Sequence, residues 1–587
     1  MTASKPKAFQ LIKYVFSDLL EASKFWFFID LAANISISVF ALLTTLMFQA
    51  VFNKIEQLLS GRGTIHAVVL AAMALCFSLL MKSLVTVFCS YTGTGALAQK
   101  ATGLIRSKIH KNMQKIRAED FEDVDMLDHI NRVNESAVKG YGVYGGISLI
   151  FTYYLPYILW MTVYLFILLP RLALMVLIIF LVQILSQAIR YRFFVDLEEK
   201  AAPIRRAMEE YQMYLYDGRY YKDTILNDSF DMFLERYRKK VLEHNSCVLR
   251  HERRNFMLEI AMKAITLAGY AGSFFLLYEG LGKGLISIGA FAAVFGNLNS
   301  MFGMINGMIT FPLKRLSEAL AVVNEYYTFM NRAEDGGQAA SYSDTDIILD
   351  QVCFAYPNSQ KNVLKDITLH IRKGEVIALV GQNGAGKSTL AKLLMGLYTP
   401  TSGHIMGGEA ETANRTKEAA DSGVTAVFQN FQKYKLTFAE NIQISDFDKG
   451  EDIAEVVVQA GVDVEKNRLD RNVVLSKEFG GIDISGGEWQ RIAIARALYR
   501  EHAMIVLDEP TAAIDPLEES RIYREFAQIS EGKTTILVTH RLGSVKLADR
   551  ILVLQRGEVA EQGTHEELME LRGVYYKMYM EQKKWYR

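Results

Sequence analysis

From Leu31 to Val51 the chain carries no charged residue. A stretch of that length crosses a hydrocarbon layer about 30 Å thick as an α-helix, because a lone apolar segment in lipid must satisfy its own backbone groups. Comparable stretches recur, and six spans are expected, at 25–51, 65–89, 147–169, 172–188, 257–278 and 288–309. Half of the 587 residues are hydrophobic and 22% are charged, an average that conceals two unlike parts. The apolar stretches lie ahead of residue 310, and strand-like and helix-like patterns alternate after the polar, glycine-bearing segment Asn331–Ser343. The formal net charge is zero, so no bulk attraction to nucleic acid is expected. Cys76, Cys89, Cys247 and Cys353 have no metal-ligand or redox-motif spacing and suit a reducing cytosol and a membrane interior.

Charge sets the expected orientation. The connections 53–64, 170–171 and 279–287 are short and hold few basic residues. The connections 90–146 and 189–256 are long and carry Arg106, Lys108, Lys111, Arg205, Arg206, Lys239 and Lys240, which places them on the cytoplasmic side. Both termini then face the cytosol of a multi-pass protein in the cell membrane. Helical periodicity continues outward from the spans through Gln99–Ile116 and Leu197–Tyr216, with turns at Asp120–Asp123 and Tyr216–Arg219. Such projections could press on the soluble domain, and Pro203 is expected to kink the second.

Met1–Lys24 spaces Phe9, Ile12, Tyr14, Val15, Leu19 and Leu20 among charged residues, as an amphipathic helix on the inner membrane surface would. Met1–Ser23 has no apolar core followed by a cleavage site, so it is not a cleavable signal peptide. Within the spans, Glu259 and Lys263 are spaced to pair, and Lys82 needs a cavity, a partner or the interface. Asn297, Asn299 and Asn306 lie among methionines, and Tyr153, Tyr154, Tyr157, Trp160 and Tyr164 crowd the third span. Two readings stay open: a pathway for a bulky amphipathic solute, or interhelical hydrogen bonding and interfacial anchoring.

The soluble part holds the densest chemistry. Gly381-Gln382-Asn383-Gly384-Ala385-Gly386-Lys387-Ser388 follows the strand-type run Glu375–Val380 and precedes the helix-type run from Thr389. Strand, glycine-rich loop and helix in that order form a phosphate cradle, with Lys387 placed for the β- and γ-phosphates and Ser388 for Mg²⁺. Met504–Leu507 is a buried-type strand ending in Asp508 and Glu509. Asp508 is expected to hold Mg²⁺, and Glu509 to accept a proton from an attacking water. A third strand, Thr535–Thr539, ends at His540, a candidate partner for the γ-phosphate or that water. Ser485, Gly486 and Gly487 open a helix and make a second anion-binding N-terminus. One nucleotide needs only one such cradle besides the P-loop, which suggests that the second serves a nucleotide bound by another copy.

With these motifs in this order, the chain resembles an ATP-binding cassette half-transporter of the exporter fold over essentially its whole length. The resemblance implies a six-span helical transmembrane domain followed by an α/β P-loop nucleotide-binding domain: an elbow helix at 1–24, membrane domain at 25–330, linker at 331–345 and nucleotide-binding domain at 346–587. It implies ATP and Mg²⁺ as cofactors, with Tyr356 stacking on adenine and Gly381, Asn383, Gly384, Gly386, Lys387, Ser388 and Thr389 binding nucleotide. Ser485, Gly486, Gly487 and the loop aspartate Asp515 would complete the nucleotide site. Gln429 would join Ser388 and Asp508 at the metal and, with Glu509 and His540, serve hydrolysis. The implied partners are a second half-transporter chain (a homodimer, with a heterodimer open), the lipid bilayer and a transported small molecule or peptide. ATP-driven export of a peptide, drug or lipid by alternating access is the implied function, and import on the same fold is the rival. Two departures stand out: Glu488 where the family pattern has Gln, and Glu478-Phe479-Gly480-Gly481 where it has Gly-Glu-x-Gly.

Overall fold

Long apolar runs become long helices. A computed structural model describes residues 8–297, 303, 312–331, 345–357, 359, 361–407, 410–411, 423–450, 452–465, 469–509, 532–540 and 544–585. The helices of the N-terminal part are α1 (Ala8–Leu59), α2 (Ile65–Ser90), α3 (Ala98–Met113), α4 (Val124–Lys139), α5 (Tyr141–Ser148), α6 (Leu155–Leu168), α7 (Pro170–Tyr216), α8 (Gly218–Leu226) and α9 (Phe230–Gly282). They are followed by α10 (Ile288–Asn297) and α11 (Pro312–Met330). Extended Ser23 (φ −171°, ψ 102°) bends α1 between the N-terminal amphipathic segment and the first apolar run. Thr64 caps α2 by accepting from the Ala67 amide, and extended Leu169 separates α6 from α7, with Pro170 preset for a first helical turn.

Among the described residues, four helical stretches are long and apolar enough to span a membrane: Phe9–Leu59, Ile65–Met113, Asp125–Leu168 and Phe230–Gly282. Two shorter apolar helices, Pro170–Val182 and Ile288–Asn297, stand where the fourth and sixth spans are expected. The first is the apolar start of the long helix α7, which continues through Pro203 to Tyr216. Of the polar residues expected in the sixth, Asn297 is described, and Asn299 and Asn306 lie outside the described residues.

The N-terminal amphipathic face turns to protein: Leu11, Val15 and Leu19 are buried with Leu97, Val143, Tyr144, Ala319 and Val323. Buried Asp18 on that face bonds Lys108 at 2.7 Å and Tyr326 at 3.1 Å. Glu259 and Lys263 pair as their spacing predicts, at 3.2 Å.

The chain divides into two compact units, Met1–Ile109 with Asn131–Asn331, and His110–Ile130 with Arg332–Arg587. The tip of the first long connection therefore groups with the α/β part. That second unit contains β1 (Ile347–Phe354), β2 (Leu364–Ile371), β3 (Val376–Gly381), β4 (Ser402–Gly407), β5 (Ala410–Glu411), β6 (Val424–Val427), β7 (Met504–Asp508), β8 (Thr534–Val538), β9 (Arg550–Gln555) and β10 (Glu558–Gly563). An antiparallel sheet runs β2-β1-β4-β5, and a six-stranded sheet runs β10-β9-β3-β8-β7-β6. Among the described residues of the larger sheet, only β10 is antiparallel to its neighbour.

The centre of that sheet is buried on both faces, as the continuous apolar runs of β3 and β8 require. Helices α12 (Lys387–Leu394), α13 (Phe438–Gln443), α14 (Ala454–Gln459), α15 (Gly486–Tyr499), α16 (His565–Leu571) and α17 (Val574–Trp585) belong to the same unit. Gly381 and Asp508 end parallel strands and His540 follows one, so the chemistry gathers at the carboxyl ends, where open α/β sheets place their ligands.

Candidate active site

The glycine-rich loop leaves β3 through backbone that only glycine adopts without strain. Gly381, Gly384 and Gly386 have φ of 153°, 79° and 103°. A Cβ at Gly381 would stand 2.3 Å from the Leu554 carbonyl oxygen, and one at Gly386 would stand 2.7 Å from Leu364 Cδ2. Gly386 caps α12 with no side-chain bond, so the first helical amides of α12 face the loop's concavity. Asn383 and Ser388 are exposed along this rim, and Thr389 is buried beneath it. Lys387 is 7% exposed and donates to the carbonyls of Gly381 at 2.9 Å and Gln382 at 3.1 Å. Burial lowers its pKa, and the carboxylates of Glu509 and Asp508 oppose that.

Three residues from different parts of the sequence meet beside the loop. Glu509 follows β7 with φ 47°, a left-handed conformation held by the hydrogen bond that its backbone N–H donates to the Val538 carbonyl at 3.0 Å. Its Oε2 accepts from Gln429 Nε2 at 2.7 Å, and its Oε1 lies 2.8 Å from His540 Nδ1. The carboxylate is thus fixed from both sides, and strain of this kind collects where function demands a fixed group. Gln582 donates to the His540 carbonyl and ties the far end of the chain to the same corner.

The residues present suit a magnesium ion. Asp508 Oδ1 is buried without a hydrogen-bond partner among the described residues. Burial, and then the Glu509 charge, push the Asp508 carboxyl above its ordinary range, while the Ser388 hydroxyl and Lys387 pull it down. A dication would relieve that cost. One carboxylate and one hydroxyl, with phosphate and water oxygens, match how Mg²⁺ is held at phosphate sites. Gln429 presents its amide nitrogen to Glu509, whereas a metal ligand must offer the amide oxygen, so the expected metal role needs the side chain to turn.

Tyr356 stands beside the first turn of α12. It is edge-on to Phe354 at 5.2 Å, and its hydroxyl lies 3.1 Å from Thr389 Oγ1. Ser485, Gly486 and Gly487 are placed on a different element. They begin α15, which packs on α13, α14 and β6. Glu488, the departure from the family pattern, closes a capping box: its carboxylate accepts from Ser485 N at 2.7 Å, and the Ser485 hydroxyl accepts from Glu488 N at 3.3 Å. In the other departure, Glu478 pairs with Lys435, and Gly481 passes so close to Val474 that a Cβ would stand 1.8 Å from its carbonyl oxygen. Asp515 lies outside the described residues.

The sequence places Asp120–Asp123 as the turn of a projection that could press on the soluble domain, without singling out the residues that make the contact. The structure makes that turn a docking element: Glu122 accepts from Tyr398, and buried Glu119 accepts from the Thr399 amide at 2.9 Å. Its signal was a cluster of acids between two helical runs. Asp30, in the first span, was also missed. It is 3% exposed and accepts from Thr92 at 3.0 Å, Tyr144 at 2.8 Å and Asn34 at 3.2 Å.

Comparison with known proteins bears on the same residues. The family model for the ABC transporter matches residues 364–512, from β2 through the phosphate loop and past Glu509. Residues 364–512 therefore carry an ABC transporter domain. The chain is 28% identical to the subtilin transport ATP-binding protein SpaT of Bacillus subtilis over 80% of its own length and 78% of that protein's. It is 32% identical to the nisin transport ATP-binding protein NisT of Lactococcus lactis, over 50% of the chain and 52% of the relative. It is 35% identical to an ATP-dependent lipid A-core flippase of Ralstonia nicotianae, over 41% and 42%. For the last two, the match spans about half or less of the relative's length. The structure of a bacterial Atm1-family ABC exporter with ATP bound shares the fold, with a TM-score of 0.76 at 20% identity over 94% of this chain and 99% of that one.

Proposed function

We propose that this chain is one half of an ATP-driven exporter in the cell membrane, with six spans, both termini cytoplasmic, and two copies enclosing each nucleotide. The observation that carries the reading is Glu509 fixed between Gln429 and His540 beside the glycine-rich loop. SpaT and NisT are named for transport of subtilin and nisin, and the flippase for lipid A-core, so the substrate class proposed is a bulky amphipathic molecule such as a peptide or lipid.

In the proposed cycle, ATP lies on the α12 N-terminus with its base against Tyr356. Lys387 exchanges its bonds to the Gly381 and Gln382 carbonyls for the β- and γ-phosphates. Ser388 and Asp508, with Gln429 turned, would hold Mg²⁺, which neutralises phosphate charge when bound. A water attacks the γ-phosphorus in line, its proton passes to Glu509, and the bond to the β–γ bridging oxygen breaks to leave ADP and phosphate. His540 keeps the Glu509 carboxylate aimed. Ser485–Gly487 of the second copy contact the γ-phosphate from the opposite side, so ATP favours the closed pair and its hydrolysis removes that preference.

Glu509→Gln tests the base. ATP binding should persist while steady-state hydrolysis in lipid nanodiscs drops roughly 100-fold or more. Turnover near the wild-type rate would remove Glu509 from the role.

A further inference from the structure

The sharpest unexplained construction in the α/β unit surrounds Tyr398. It follows the loop helix α12 in a turn, yet it is 4% exposed. Its ring stacks on Phe354 at 5.3 Å and 11°, and meets Tyr356 edge-on at 5.9 Å and 82°. Its hydroxyl donates to the Glu122 carboxylate and lies 2.7 Å from Lys392 Nζ, which is itself 3.3 Å from Glu122. The hydrogen bond from Tyr398 holds Glu122 below the usual carboxylate range, and burial pushes the Tyr398 hydroxyl up, so the proton stays on the tyrosine. One residue on, the Thr399 amide donates to Glu119, which pairs with Arg117 at 3.0 Å. The cytoplasmic turn thus grips two consecutive residues of the α/β unit, and the first of them abuts Tyr356.

An aromatic side chain that receives a base contributes only if its orientation is set beforehand, because freezing a free ring consumes part of the stacking energy. Tyr356 is set on three sides: by Phe354, by the Thr389 hydroxyl on α12, and by the edge contact with Tyr398. Tyr398, which the cytoplasmic turn holds, supplies the last of these directly and also backs Phe354 by stacking on it.

We propose that Tyr398 and Glu122 are positioning residues for the nucleotide base: together they fix the Tyr356 face, so that the turn at 117–122 sets affinity for the base and leaves affinity for the triphosphate alone. The proposal rests on the reading of Tyr356 and the loop given above and adds residues that act through Tyr356. It predicts a split effect that general loosening of the domain would not produce.

The test uses the full chain in lipid nanodiscs with Mg²⁺ present, titrated by calorimetry with ATP and with inorganic triphosphate, which has no base. Tyr398→Phe keeps the ring and loses the link to Glu122, and Glu122→Gln keeps the shape and removes the charge. Each should weaken ATP roughly two- to ten-fold while triphosphate binding stays at the wild-type value. The double variant should be no weaker than the worse single one, because both act on one contact. Etheno-ATP, whose emission is quenched by stacking, should be quenched less in each variant. Triphosphate binding that survives Lys387→Ala would overturn the loop reading and this inference with it. If triphosphate depends on Lys387 but the advantage of ATP over triphosphate is the same in wild type, Tyr398→Phe and Glu122→Gln, the positioning role alone falls.

Discussion

Two helix N-termini in the α/β unit are built from glycine, and they are built oppositely. At the start of α12, Gly386 is left-handed and hemmed in, with a Cβ position 2.7 Å from Leu364 Cδ2, and no side chain caps the helix. At the start of α15, Ser485 and Glu488 form a complete capping box, and among the described residues nothing lies within 4 Å of a Cβ at Gly486 or Gly487. Neither has positive φ. The first set of glycines is demanded by the chain's own packing. The second is demanded by nothing described in this chain, and each glycine there costs the helix up to about 1 kcal/mol relative to alanine. On the proposed dimer that cost has a reason: the surface must stay bare for a phosphate presented by the other copy.

The largest expected effect breaks that comparison outright. Gly487→Ala should leave the melting temperature of the chain unchanged or slightly raised, keep ATP binding at the Lys387 loop, and lower ATP turnover roughly 100-fold. Chains carrying Gly487→Ala mixed with chains carrying Lys387→Ala should regain part of the activity, since one mixed pairing retains an intact loop and an intact Ser485–Gly487 together. Mixtures no more active than the separate variants would mean that both cradles serve a nucleotide within one chain.

Gly386→Ala probes the other helix and should act in the opposite order. Its φ of 103° and the crowded Cβ position should cost roughly 1–3 kcal/mol of stability, read as a lower unfolding midpoint before any ATP is added. An unshifted midpoint would show that the loop tolerates a side chain, and the contrast with Gly487 would dissolve.

How far the residues announced themselves follows from how local each signal is. The phosphate loop, Asp508, Glu509 and His540 are legible because each closes a strand-type run, so a short window contains both the residue and its placement. The membrane half is legible as apolar runs. Yet α7 carries its apolar stretch into a charged extension without a break, and length and composition alone then blur where a span ends. Glu122 and Tyr398 are far apart in sequence and look individually like a solvated acid and a loop aromatic; only the fold makes them partners. Asp30 sits at the edge of the first uncharged run, where a charge is ordinary, and its burial by Thr92 and Tyr144 depends on residues from two other helical segments.

Glu488 is a different case, because its signal is local. Ser485-Gly486-Gly487-Glu488 is a capping-box pattern by itself, but set against a family pattern ending in Gln it looks like an added charge near a phosphate. The geometry decides in favour of the cap, since the Glu488 carboxylate is already engaged by the Ser485 amide at 2.7 Å. Gln closes the same box, so Glu488→Gln should leave the unfolding midpoint nearly unchanged. What changes is one negative charge beside the surface proposed to receive a γ-phosphate. Removing it should lower the KM for ATP by a factor of about two to five at low salt, and by less as salt screens the charge. A KM that is indifferent to salt and substitution alike would place Glu488 wholly in the service of its own helix, and would remove the second cradle's electrostatic claim on the nucleotide.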